Sequence, residues 1–118
     1  MSNVGELRVL RDRLRSFAEQ RDWDQFHTPK NLAMAVAAES GELLEHFQWL
    51  SADESGALSD DTKSRVAEEI ADVLLYLIRL ADKLDLNMYE AALKKIDTNG
   101  EKYPVEKSRG NARKYDQL

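Results

Sequence analysis

A helical pattern of apolar residues, interrupted by carboxylates, dominates the segment NLAMAVAAESGELLEHFQWL, residues 31–50. On a helical wheel at about 100° per residue, Glu39 lies only about 20° from Leu32, inside the apolar face. Glu42 lies on the flank of that face, and Glu45 lies further round toward solvent. Because an isolated carboxylate is costly to bury, Glu39 needs a proton, a basic partner or a metal ion.

The remaining pattern is also helical. Thr28, Ser59 or Asp60, and Asn87 are candidate N-caps, and Gly100 followed by Pro104 is expected to end the last helix. Residues 51–61 are expected to form a polar loop. No segment alternates apolar and polar residues convincingly, so we predict an all-α four-helix bundle, a single domain over residues 1–118 with a polar tail from about residue 105. The four helices are predicted at about 4–20, 29–50, 60–84 and 88–99.

Composition excludes several kinds of site and partner. The chain has no cysteine, which excludes disulfides and thiolate metal sites. It has no apolar core of a signal peptide and no apolar run long enough to span a bilayer, so we expect a cytoplasmic protein without membrane contact. The net charge is −5, about +3 over residues 94–118 and about −8 over the rest, and the acidic body argues against binding to a nucleic-acid polymer.

A second pair of acids lies on the third predicted helix. Glu69 and Asp72 are three residues apart and therefore share a face, with Tyr76 beside Glu69 and Arg79 nearer the polar edge beside Asp72. A short loop joins the second and third helices, so antiparallel packing is expected to bring ExxE and ExxD together. Four carboxylates without cysteine suit a hard cation, Mg²⁺, for which Mn²⁺ could substitute.

Two other interpretations remain open from the residues alone. Either motif is common on exposed helices, so the acids of a helical interaction or regulatory module could simply form surface salt bridges. A di-iron carboxylate bundle is disfavoured because it needs Glu-x-x-His pairs, whereas His46 follows Glu42 by four residues and the third helix has no histidine.

Three segments together resemble a known family. AAESGELLEHFQWL, EEIADVLLYLIRLADKLDLNM and KKIDTNGEKYP are similar to the all-α nucleoside triphosphate pyrophosphohydrolases, the MazG-like group, and within it to the dCTP pyrophosphatase branch. The resemblance implies Mg²⁺-dependent hydrolysis of a (deoxy)nucleoside triphosphate, dCTP or a modified dCTP, to the monophosphate and pyrophosphate. Another nucleotide, such as a phosphoribosyl nucleotide, is the alternative substrate. A homo-oligomer is also implied, a tetramer rather than a dimer.

The resemblance also assigns residues to roles. It implies that Glu39, Glu42, Glu69 and Asp72 bind the metal and that Glu39 or Glu42 acts on the attacking water. A histidine is expected near the base where this chain has Leu14. The implied substrate contacts are Trp23, Asp24, Gln25, Phe26 and His27 around the base, Trp49 and Tyr76 as further aromatic contacts, and Lys95, Asn99 and Tyr103 on the phosphate side.

Overall fold

A computed structural model describes residues 3–118, and this part of the chain is helical with no β-strand. The all-α prediction is therefore confirmed. Two single-turn 3-10 segments, Asp24–Phe26 and Tyr115–Gln117, accompany the α-helices. The α-helices are α1 (Asn3–Gln20), α2 (Pro29–Glu45), α3 (Ala52–Ser55), α4 (Asp60–Lys83), α5 (Met88–Lys102) and α6 (Val105–Ser108).

Side-chain caps fix where the main helices begin. The Thr28 hydroxyl accepts a hydrogen bond from the Asn31 N–H, and Pro29 occupies the first turn of α2. Ser59, rather than Asp60, caps α4. The Asn87 side chain accepts from the Glu90 N–H at the start of α5. These predicted helix starts are confirmed because each cap satisfies a backbone N–H that has no partner within the helix.

The prediction that the second helix continues to Leu50 is wrong. α2 ends at Glu45, after which the N–H groups of Phe47 and Leu50 bond to carbonyls three residues earlier, as in tight turns. The predicted polar loop also contains α3, where Ser51 and Glu54 form a reciprocal capping box. This Ser-x-x-Glu signature was readable in the sequence.

Gly100 does not end the fourth predicted helix, which is α5 in the structure. The helix continues through Gly100 to Lys102 and stops at Tyr103, the residue before Pro104. Proline disfavours helical backbone in the preceding residue, whereas an isolated glycine only weakens a helix. The predicted tail is not wholly irregular, since it contains α6.

The chain divides into two compact units, and the first extends to Leu86. In this unit α2 and α1 both pack against α4. Two contacts show that α2 runs antiparallel to α4. His27, just before α2, bonds to Arg79 near the end of α4. His46, just after α2, lies near Glu69 in the first half of α4. Among the described residues the buried apolar side chains are Ala18, Leu32, Val66 and Ile78.

The second unit, Asn87–Leu118, contains α5 and α6. Within it the rings of Tyr103 and Tyr115 meet edge to face, with centroids 6.3 Å apart. The assignment of residues 1–118 to one domain stays a prediction. Among the described residues, no helix combines the length and apolar character needed to cross a membrane.

Candidate active site

Three carboxylates converge between α2 and α4. One oxygen from each of Glu39, Glu69 and Asp72 lies within 4.8 Å of the other two. Glu39 and Glu69 are half-buried and Asp72 is exposed. The antiparallel packing of α2 on α4 brings the two motifs together, as their spacing predicts.

The electrostatics of this acidic cluster are unfavourable without a counter-charge. A hydrogen bond with Glu42, burial, and the charges of Glu42, Asp72 and Glu69 together raise the pKa of Glu39 from 4.5 to about 7. Burial and the neighbouring Glu42 charge also raise the pKa of Glu69, against a smaller opposing effect of His46. The carboxylates therefore repel one another and favour sharing a proton or a cation.

The donor set fits a divalent cation. Oε2 of Glu39 and Oε2 of Glu69 are buried and have no hydrogen-bond partner among the described residues. Buried polar atoms in proteins are normally hydrogen-bonded, so two unpartnered carboxylate oxygens in one cluster indicate that a cation completes the site. Oxygen donors of this kind are those that Mg²⁺ and Mn²⁺ prefer.

Glu42 and Glu45 differ from the three convergent acids. Glu42 is exposed and borders the cluster, where it contributes to the raised pKa of Glu39. It does not belong to the group of three converging oxygens. Glu45 is exposed, in agreement with its predicted position toward solvent. His46 Nε2 lies 3.7 Å from Glu69 Oε1, a contact that the helical wheel did not indicate.

A cavity of about 280 Å³ adjoins the acidic cluster, because Asp72 also lines it. His27 and Arg79 also line it, together with the polar tips of Trp23 and Tyr76. Leu14, where the resemblance implies a histidine, contributes only an apolar side chain. The apolar and aromatic walls are formed by Leu14, Phe17, Ala18, Trp23, Leu75 and Tyr76.

The end of α1 explains how Trp23 reaches this cavity. Asp22 adopts a left-handed conformation, with φ of 54°, and the Trp23 N–H bonds back to the Ala18 carbonyl at 2.9 Å. This is the geometry of a helix C-terminus closed by a left-handed residue. The turn brings the Trp23 ring edge to face against Phe17, with centroids 5.7 Å apart.

The helical wheel predicts Arg79 near a polar edge, and this prediction is wrong. Arg79 is buried, with 6% of its surface exposed. It donates from Nε to His27 Nδ1 at 3.1 Å and from one terminal nitrogen to Asp24 Oδ1 at 2.5 Å. Lys83 also bonds to Asp24, and this bond holds the pKa of Asp24 below its usual value. The burial is possible because both partners satisfy the guanidinium.

The structure brings together only some of the predicted substrate contacts. Trp23, His27 and Tyr76 line the cavity, and Asp24 supports its wall through Arg79. Gln25, Phe26 and Trp49 do not line it, and Trp49 is 87% exposed. The second unit carries the phosphate-side residues, Lys95 and Asn99 exposed on α5 and Tyr103 at its end, so their role stays a prediction.

Sequence reasoning missed Phe17, Ala18, Leu75 and Arg79 as cavity residues. The first three are ordinary members of apolar helix faces and carry no distinguishing signal. Arg79 does carry one, because it is the single charge within the apolar run VLLYLIRLA. A charge at such a position is usually paired when buried, and Asp24 and His27 are the partners here.

Comparisons with known proteins agree with this geometry. A model of the MazG-like family matches residues 34–118. Mouse and human dCTP pyrophosphatase 1 are 48% and 43% identical to the chain over 104 residues, or 86% of it. The chain spans only 61% of the length of these relatives.

A solved structure is similar as well. A pyrophosphatase from Archaeoglobus fulgidus DSM 4304 superposes with a TM-score of 0.78 at 45% identity, covering 88% of this chain and 94% of that one. Because the family model matches well over half of the sequence, the chain belongs to the MazG-like family.

Proposed function

We propose that the chain is a nucleoside triphosphate pyrophosphohydrolase that depends on a divalent cation, Mg²⁺ in the cell, and acts on dCTP or a modified dCTP. The observation that carries this proposal is the junction at Asp72 of an acidic cluster with an aromatic-lined cavity. A cation suits the polyphosphate, and flat aromatic walls suit a base. The names of the two mammalian relatives support the choice of dCTP.

In this proposal, metal binding, proton transfer and base binding are assigned to different residues. Glu39, Glu69 and Asp72 hold the cation, which supplies charge neutralisation for the triphosphate and for the transition state. Glu42 borders the cluster without belonging to it, so it is placed to accept a proton from the attacking water. Trp23 and Tyr76 flank the base in the cavity.

A homo-oligomer, a tetramer rather than a dimer, is also part of the proposal. Large apolar side chains remain exposed on the first unit, among them Met34 on α2 and Ile70 and Leu77 on α4. Ile70 and Leu77 are seven residues apart and therefore share one face of α4. A second copy that covers this face would remove apolar surface from water.

The test is a panel of nucleoside and deoxynucleoside triphosphates incubated with the protein and Mg²⁺, with pyrophosphate and orthophosphate measured separately. We expect pyrophosphate and the monophosphate from dCTP, and no reaction after chelation of the metal. Release of orthophosphate instead would contradict the proposed bond cleavage, and failure with every nucleotide would contradict the enzymatic function. A phosphoribosyl nucleotide in the panel tests the alternative substrate.

A further inference from the structure

Arg79 carries a charge that the proposed chemistry does not use. It lies about two helical turns, or roughly 10 Å, along α4 from Asp72 and lines the same cavity. The acidic cluster and Arg79 therefore mark opposite ends of the cavity wall that α4 provides. A nucleotide with its phosphates at Asp72 would place its base toward Arg79.

The bond between Arg79 and His27 determines which imidazole nitrogen carries a proton. The Nε of arginine can only donate, so Nδ1 of His27 must accept at 3.1 Å and cannot bear hydrogen. Burial, followed by the positive charges of Arg79 and Lys83, lowers the pKa of His27 and favours the neutral ring. The single proton of a neutral ring then lies on Nε2.

The paired side chains of His27 and Arg79 consequently act only as hydrogen-bond donors at this end of the cavity. His27 offers Nε2–H, which bonds to no described residue, and the guanidinium of Arg79 has no acceptor atom. Cytosine presents two adjacent acceptors, O2 and N3, along its pairing edge. Uracil and thymine share the O2 acceptor but carry an N–H at position 3, so a donor directed at position 3 would bond to cytosine and would lose its hydrogen bond with uracil or thymine.

We propose that Arg79 is a positioning residue for base selection, which holds His27 as an Nε2–H donor so that the cavity accepts cytosine and rejects uracil and thymine. This inference rests on the proposed nucleotide site and adds to it a chemical reason for the choice of base. Arg79 acts through His27, and the Asp24 carboxylate keeps the guanidinium in place.

A purely structural role for Arg79 makes a different prediction. Arg79 also lies 3.7 Å from Asp82, which accepts hydrogen bonds from Arg15. Arg79 therefore belongs to a charge network that links α1 to α4. Asp82→Asn weakens that network but leaves the donor to His27 in place. Arg79→Met removes the donor while keeping an unbranched side chain. The two variants therefore separate stabilisation from control of the imidazole.

The first measurement is the protonation state of the imidazole by long-range ¹H–¹⁵N NMR of the full chain. The chain has two histidines, so His27→Asn assigns the signals. We expect an unprotonated Nδ1 and a protonated Nε2 in the wild type and in Asp82→Asn, and a mixture of tautomers in Arg79→Met. A wild-type ring protonated on Nδ1, or an unchanged ring in Arg79→Met, would overturn the inference.

The second measurement is the affinity for dCMP against dUMP, in the presence of Mg²⁺, by calorimetry. One unsatisfied hydrogen bond predicts a preference for dCMP of about tenfold or more in the wild type. We expect Asp82→Asn and the exposed control Arg65→Met to keep this preference and Arg79→Met to lose most of it. Equal affinities of the wild type for dCMP and dUMP, or an unchanged ratio of the two affinities in Arg79→Met, would refute the base-selection inference.

Neither measurement requires catalysis, so the inference and the proposed function can fail separately. If no triphosphate is cleaved but the tautomer and the dCMP preference behave as expected, the base-selection inference stands and the hydrolysis proposal falls. If dCTP is cleaved and Arg79→Met leaves the dCTP to dUTP ratio of kcat/KM unchanged, the hydrolysis proposal stands and this inference falls.

Discussion

The two halves of α4, taken here as residues 60–72 and 73–83, hold their charges in opposite ways. In the first half, Glu69 and Asp72 face further carboxylates, two buried oxygens of the cluster have no partner among residues 3–118, and the pKa of Glu39 rises. In the second half Arg79 and Asp82 are paired with opposite charges. There the Arg15 guanidinium lowers the pKa of Asp82. The difference indicates that the carboxylates of the first half need a counter-charge from outside the chain, whereas the charges of the second half are paired within it.

The largest effect is expected from Glu39, the acid on α2 that faces Glu69 and Asp72 in the first half of α4. Glu39→Gln removes a ligand charge and should reduce dCTP hydrolysis by about a thousandfold, with weaker Mg²⁺ binding by calorimetry. Glu45→Gln is the matched control on the same helix, since Glu45 is exposed. Full activity in Glu39→Gln would show that the cluster is not the metal site.

Glu42→Gln should separate metal binding from proton transfer. Glu42 borders the cluster but lies outside its three convergent oxygens, so its loss should lower kcat by about a hundredfold while Mg²⁺ affinity stays close to that of the wild type. Steady-state kinetics and calorimetry on the same preparation decide this. A large loss of Mg²⁺ affinity would make Glu42 a fourth ligand instead.

The raised pKa of Glu39 makes metal-free stability depend on pH. Between pH 4.5 and about pH 7, Glu39 of the folded protein holds a proton that the same residue has released in the unfolded chain. The free energy of unfolding contributed by this proton is therefore fully present below pH 4.5 and is lost as the pH rises to about 7. Asp82 works in the opposite direction at lower pH, because its pKa is lowered.

Chemical denaturation in chelator across pH 5–8 measures this linkage. We expect wild-type stability to fall more steeply with pH than that of Glu39→Gln, in which the neutral amide cannot titrate. Added Mg²⁺ should stabilise the wild type more at pH 8 than at pH 6. Parallel pH curves for the two proteins would mean that Glu39 does not carry the proton.

The contrast between the halves also explains what the sequence could reveal. Helix periodicity places Glu39 in an apolar face and Glu69 and Asp72 on one face, which is enough to predict the acidic cluster. Arg79 was placed wrongly because its burial depends on Asp24 and His27, more than fifty residues earlier in the chain. The early end of α2, which leaves Trp49 exposed beyond it, was also missed. A wheel describes one helix and carries no information on such partners.

The smallest expected effects concern the paired half. Arg15 donates two hydrogen bonds, of 2.8 and 2.5 Å, to Asp82, whose side chain is 13% exposed. Asp82→Asn should lower the free energy of unfolding by about 1–2 kcal/mol, a value reduced because Arg15 is half exposed to water. Thermal and urea unfolding measure it.

Asp61→Asn is the matched control on the same helix. Asp61 pairs with Arg65 one turn away and both side chains are largely exposed, so its loss should cost no more than about 0.5 kcal/mol. Neither substitution should weaken Mg²⁺ binding, because neither residue belongs to the acidic cluster. Equal losses of stability in Asp82→Asn and Asp61→Asn would contradict the prediction, since the Arg15–Asp82 pair would then contribute no more than an exposed surface pair.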